Sequence, residues 1–295
     1  MTAKKTQFEG SMVALVTPFK NGQIDEQALK GLLDFQLKNK TDVLIPCGTT
    51  GESATMSHEE HRRMMSLVVE YVNGRVPVVC GAGSNNTAEA LGLIQHAEKV
   101  GADGVLVVTP YYNKPTQEGL YRHYSFLAAK TRLPIILYNV PGRTGVSLAP
   151  QTVARLAKIG NIVAIKEASG NLAQVDKILS LCDITVISGD DGLTLPMMAI
   201  GARGVISVTA NVVPARVRAL VHKALAGDFR AALKEHEALR ELSDVLFVET
   251  NPIPVKTAAA LMGLIKLEFR LPLCEMKAEN KKLVRNALKN LGVKV

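Results

Sequence analysis

Eight short β-branched apolar runs, interleaved with helical patterns, constrain this 295-residue chain more than any other feature. They begin near Met12 (MVALV), Val43 (VLIP), Val76 (VPVVC), Gly104 (GVLVVT), Leu133 (LPIILYN), Asn161 (NIVAIKE), Ile184 (ITVIS) and Gly204 (GVISVT). Apolar strands alternating with helices indicate a parallel sheet covered on both faces. Eight such units are the number that closes a barrel, so the sequence predicts an α/β chain of the (β/α)8 TIM-barrel class.

Helix punctuation agrees. Ser57 and Glu60 form a capping box in S-H-E-E, and Asp25 precedes the apolar spacing of Leu29, Leu32 and Leu33. Gly101 and Gly201 suit left-handed caps. After residue 209 helical periodicity takes over through VRALVHKALAG, FRAALKEHEALREL, KTAAALMGLI and NKKLVRNALKNL. The expected organisation is a barrel over residues 1–225 and a helical C-terminal extension over 226–295.

A doubly wound nucleotide-binding sheet is the main rival, because Gly81 and Gly83 follow a strand and precede a helix. The third glycine position of that fingerprint holds Asn86 in G-A-G-S-N-N, so the close-packing glycine is missing. In a barrel the same segment is one of eight loops.

The hydrophobic fraction of 47% and charged fraction of 21% belong to a folded globular chain. The first ten residues, MTAKKTQFEG, lack the apolar core of a signal peptide, and no apolar run reaches roughly 18 residues, so a cytoplasmic protein without membrane contact is expected. Cys47, Cys80, Cys182 and Cys274 are scattered, which fits reduced thiols better than a disulfide frame or zinc. The net charge of +8 comes with no nucleic-acid motif and no tryptophan, so a solvated basic face is expected rather than a nucleic-acid partner. A basic surface also favours the approach of anionic substrates.

Barrel chemistry sits where strands end, which draws attention to Thr49, Thr50, Tyr111, Tyr112, Tyr138 and Lys166. Period-two alternation puts Lys166 on the face of Ile162 and Ala164, and Glu167 on the other. If the Lys166 face lines the barrel, desolvation favours the free amine, which attacks a ketone to form an imine. An ion pair with a strand-end acid is the structural alternative. Tyr138 shares a face with Ile136 and is either a proton shuttle or a core aromatic. The turn C-G-T-T-G-E offers hydroxyls and backbone N–H groups to a carboxylate. Arg143 in N-V-P-G-R-T-G could take a second one, unless it is an ordinary surface arginine. His58 and His61 lack the H-E-x-x-H spacing of a zinc site and read as exposed residues or an effector contact at a helix start, so no metal is expected.

Together VALVTPF, PCGTTGE, VVCGAGSNNT, TPYYNKPTQEGL, ILYNVPGRTG, IKEASGN, SGDD, GVISVTAN and NPIPVK resemble the dihydrodipicolinate synthase family of the class I pyruvate aldolases, in order and over nearly the whole chain. The resemblance implies condensation of pyruvate with L-aspartate 4-semialdehyde in lysine and diaminopimelate biosynthesis, with no cofactor. It implies that Lys166 forms the Schiff base and that Tyr138 moves protons in a relay with Thr49 and with Tyr112 of a neighbouring subunit. Thr50 and the backbone of Ile206 would hold pyruvate, Arg143 the carboxylate of the semialdehyde, and Gly189 would lie near the second substrate. It further implies a homotetramer and an L-lysine feedback site at Ser53, Ala54, His58, His61, Asn85, Glu89 and Tyr111. Sialic acid lyases share the lysine and tyrosine, but usually read G-S-T-G-E where this chain has Gly48–Glu52 and generally lack the arginine seen here as Arg143. Other oxo-acid aldolases remain alternatives, as does a barrel that binds an oxo acid without turning it over.

Overall fold

The computed structural model describes residues 8–295. Eight parallel strands, β1 (Gly10–Ala14), β2 (Val43–Ile45), β3 (Val79–Gly81), β4 (Gly104–Val108), β5 (Ile135–Asn139), β6 (Ile162–Glu167), β7 (Thr185–Ser188) and β8 (Gly204–Ser207), hydrogen-bond in cyclic order. The bridge Leu44–Val78 joins β2 to β3, so the eight strands close the expected (β/α)8 barrel.

Closure sorts alternate side chains into two cores. Met12, Ile45, Leu106, Ile136, Ala164, Ile187 and Ile206 fill the interior, while Val13, Leu44, Val105, Leu137, Ile165 and Val186 pack outward against helices. At the seam, Gly10 of β1 pairs with Gly204 of β8. A Cβ on Gly204 would collide with backbone atoms of Gly10, and both glycines hold positive φ, 98° and 153°. The seam therefore requires glycine for close approach as well as for conformation.

Two strands start later than their apolar runs. The third begins at Val79 rather than Val76, and the fifth at Ile135 rather than Leu133, because Pro77 and Pro134 have no N–H to give the ladder. A two-stranded hairpin, Phe19–Lys20 with Gln23–Ile24, was not anticipated; Asn21 and Gly22 turn it with positive φ at both positions.

The expected C-terminal helices occur at Pro214–Leu225, Phe229–Val245, Ile253–Leu261 and Ala278–Asn290. They are tied to the barrel mouth by Lys256, whose Nζ pairs with Glu52 where both side chains are wholly buried. Lys256 also donates to the Glu268 carbonyl at 2.6 Å and faces the Phe19 and Phe269 rings at 4.5 and 5.0 Å. Burial lowers the Lys256 pKa and the Glu52 charge opposes that shift. Loss of one partner from such a buried pair costs about 3–5 kcal/mol.

His123 belongs to the helix Gln117–Ala128 and meets the start of the helix Thr87–Val100, with Nδ1 at 2.9 Å from Thr87 Oγ1 and Nε2 buried without a partner. Burial pushes its pKa down to about 4. The unfolded chain takes up a proton near pH 6.5 that the fold refuses until about pH 4, so stability is lost as pH falls through that window. At pH 5 the penalty from this group is on the order of 2 kcal/mol. Replacing it, as in His123→Phe, should make the fall in Tm between pH 7 and pH 5 shallower; calorimetric scans showing an unchanged slope would refute this assignment.

Candidate active site

The strand ends build a cavity of about 430 Å³ at the C-terminal mouth of the barrel, reached by Thr50, Tyr138, Arg143, Lys166, Gly189 and Asn251. Register explains the central pair. Tyr138 lies directly beside Lys166 across β5 and β6, both face inward, and they remain only 6% and 5% exposed. The Lys166 Nζ sits 4.4 Å from the centre of the Tyr138 ring.

Among the described residues, no carboxylate lies within ion-pair distance of Lys166. Glu167 is on the opposite strand face, as period two requires, where it accepts from Asn139 Nδ2 at 3.0 Å, Ser169 N at 2.8 Å and Gln174 Nε2 at 3.0 Å. The adjacent acid is thus committed elsewhere. The ion-pair alternative for Lys166 is removed.

Thr50 is buried, and its Oγ1 accepts from Asn251 Nδ2 at 3.0 Å. The Asn251 carbonyl in turn accepts from Arg143 Nη2 at 3.0 Å. Asn251 therefore joins Thr50 to Arg143. Its Oδ1 is buried without a partner and it lines the cavity. Reasoning along the sequence left this residue inside NPIPVK without a role. Asp191 of SGDD is a second omission: it accepts from Ser207 Oγ, Val208 N (2.9 Å) and Thr209 N (3.1 Å), locking the chain just after Ile206. Burial raises its pKa and those three donors oppose the shift. Ile206 itself is an interior core residue.

Gly189 lies against the Lys166 stem rather than open space. A Cβ there would stand 2.9 Å from Lys166 Cε and 3.1 Å from Cγ. The absent side chain leaves room for the lysine stem.

Thr49 lies in a second cavity of about 370 Å³, together with Ser53, Ala54, His58, His61, Glu89 and Tyr111. Six of the seven residues named for an effector therefore converge. Asn85 is not among those lining it; its carbonyl holds Asn113 Nδ2 at 2.9 Å. His58 Nε2 is 3.9 Å from Glu89 Oε1, and Ser84 donates to Glu89 at 2.8 Å. His61 is not exposed as its helix-start position suggested. It is buried with Nε2 2.8 Å from the Gly81 carbonyl, and burial lowers its pKa.

The expected proton relay is not closed within one chain. Among the described residues, Tyr138 Oη has no hydrogen bond to Thr49, and Tyr112 stands out from the surface, 90% exposed with φ of 71°. A bulky aromatic in left-handed backbone is strained. Among the described residues, no three His, Cys, Asp or Glu side chains gather as a metal site, and no helix is long and apolar enough to cross a membrane.

A family model described as the dihydrodipicolinate synthetase family matches residues 7–291. The chain belongs to that family. One family member, the 4-hydroxy-tetrahydrodipicolinate synthase of Syntrophus aciditrophicus, is 54% identical over 288 residues, covering 97% of this chain and 99% of the relative. The crystal structure of dihydrodipicolinate synthase from Aquifex aeolicus superposes with a TM-score of 0.97 at 50% identity, over 98% of this chain and 99% of that one. Also similar are the Acinetobacter baumannii enzyme complexed with pyruvate (TM-score 0.94, 44% identity, 97% of this chain and 99% of that one) and the Cyanidioschyzon merolae enzyme with lysine bound (TM-score 0.95, 39% identity, 98% of this chain and 100% of that one).

The Gly189 contact yields a test within the family's active site. Gly189→Ala should displace the Lys166 stem and lower kcat by roughly 10- to 100-fold, the range expected when a reacting group is misplaced by about 1 Å. A parental kcat would show that the stem has room to spare.

Proposed function

We propose that this chain condenses pyruvate with L-aspartate 4-semialdehyde to give 4-hydroxy-tetrahydrodipicolinate, working through an imine on Lys166. The observation that carries this is a buried lysine without a counter-ion, set against a tyrosine ring in a cavity that also holds an arginine. Paired lysines serve structure; an unpaired one beside a polar cavity is available for covalent chemistry.

The Lys166 amine adds to the C2 carbonyl of pyruvate and water leaves, giving an imine. Loss of a C3 proton gives the enamine, whose carbon attacks the aldehyde, and the aldehyde oxygen takes up a proton as the new hydroxyl. The amine of the second substrate then adds to the imine carbon, closing the ring and releasing Lys166. Tyr138 moves the protons, Thr49 belongs to its relay, and Thr50 with the Ile206 backbone holds pyruvate. Arg143 takes the semialdehyde carboxylate with the geometry a guanidinium provides.

The relay is completed by Tyr112 from a neighbouring subunit of a homotetramer, a reading supported by its exposure and strained backbone. The second cavity takes L-lysine as an effector, supported by Glu89 and Tyr111 for the cationic ligand. The reaction runs in the cytoplasm, in keeping with four unpaired cysteines.

Treatment with pyruvate and borohydride should add one reduced adduct at Lys166, read by peptide mass spectrometry, and pyruvate should be consumed with aspartate semialdehyde but not with N-acetylmannosamine. An unmodified Lys166 would sink the imine mechanism. Sedimentation should show a tetramer whose initial rate falls in millimolar L-lysine; a fully active monomer would contradict the donated Tyr112, and an unchanged rate the effector site.

A further inference from the structure

The turn bearing Thr49 and Thr50 stands on a buried ion pair that no step of the condensation uses. Glu52 ends the 3-10 turn Thr49–Gly51 in left-handed backbone, at φ 53° and ψ 35°. Neither that conformation nor the burial of a carboxylate is favourable by itself. Both are held by Lys256, which donates to Glu52 from the helix Ile253–Leu261.

The same segment grips the loop further along. Arg270 donates to the Thr55 carbonyl at 3.1 Å and to Glu60 Oε2 at 2.8 Å, and its guanidinium lies 4.2 Å from the Phe19 ring that also faces Lys256. Just ahead of Lys256 in the chain, Asn251 holds Thr50 and accepts from Arg143. The position of the turn relative to the helix therefore sets where Thr50, Asn251 and Arg143 stand around Lys166.

We propose that Glu52 and Lys256 are positioning residues of the active site, fixing the Thr49–Gly51 turn against the C-terminal helices; the inference rests on the condensation reading above. Apolar side chains of equal volume would fill the same space and keep the fold. They have no directional hydrogen bond with which to set the height of the turn. Structural and positioning roles thus separate in one variant.

The double substitution Glu52→Met with Lys256→Met, apolar at both positions and close in volume, removes both charges together. It should melt within a few degrees of the parent, yet show kcat at least tenfold lower, a raised KM for pyruvate, and a correspondingly slow borohydride-trapped adduct on Lys166. His123→Ala, a buried change away from the cavity, serves as control: lower Tm with parental kcat and KM. A folded double variant with parental kcat and KM overturns the proposal. Should the double variant not fold, Glu52→Asp withdraws the carboxylate by one methylene while keeping its charge, and parental kinetics there overturn it equally. If the parent enzyme itself forms no adduct, the condensation reading fails and this inference with it; a normal parent adduct beside an equally fast one in the variant removes this inference alone.

Discussion

The pairing of Lys256 with Glu52 is the interaction on which the mouth of the barrel depends, because it fastens the C-terminal helices to the loop after β2 through a direct, wholly buried contact. Among the described residues, one other lysine is buried, Lys166. The two are buried in opposite ways. Lys256 has a carboxylate, a carbonyl and two aromatic faces, so its donors and charge are answered by protein. Lys166 has an aromatic ring and a cavity. One chemical group is paired in the first case and left without a counter-ion in the second, and the difference lies in whether an acid is within reach.

The barrel and its central pair were legible because they follow from periodicity. Alternation along IVAIKE and IILYN sends Lys166 and Tyr138 inward, and strand register sets them side by side. The Thr50–Asn251–Arg143 chain was not legible, since its hydrogen bonds span 201 and 108 residues. No local pattern carries such separations. Asp191 was missed for the same reason: its partners lie on the next strand, beyond an intervening helix. His61 differs, because the signal was present. It shares the stripe of Met64, Met65, Val68 and Val72 on its helix, and that spacing foretells burial.

The two cavities are neighbours that share part of their walls. Val140 and Arg143 belong to the walls of both, and the loop after β2 gives Thr50 to one and Thr49, Ser53 and Ala54 to the other. A single turn of backbone divides them. Whatever fills one cavity presses on groups that serve the other, without any long chain of contacts.

The glycines of the barrel differ in what they exclude, and this bears on which changes the fold could absorb over time. At Gly204 the obstruction is the main chain of Gly10, present whatever residue occupies position 10. No second substitution elsewhere restores that space, so position 204 is closed to suppression. At Gly189 the obstruction is made of side chains, Ala168 and the stem of Lys166. Trimming Ala168 to glycine would relieve one of the two. The seam of the barrel is therefore frozen as backbone geometry, while the floor of the Lys166 cavity remains open to paired change.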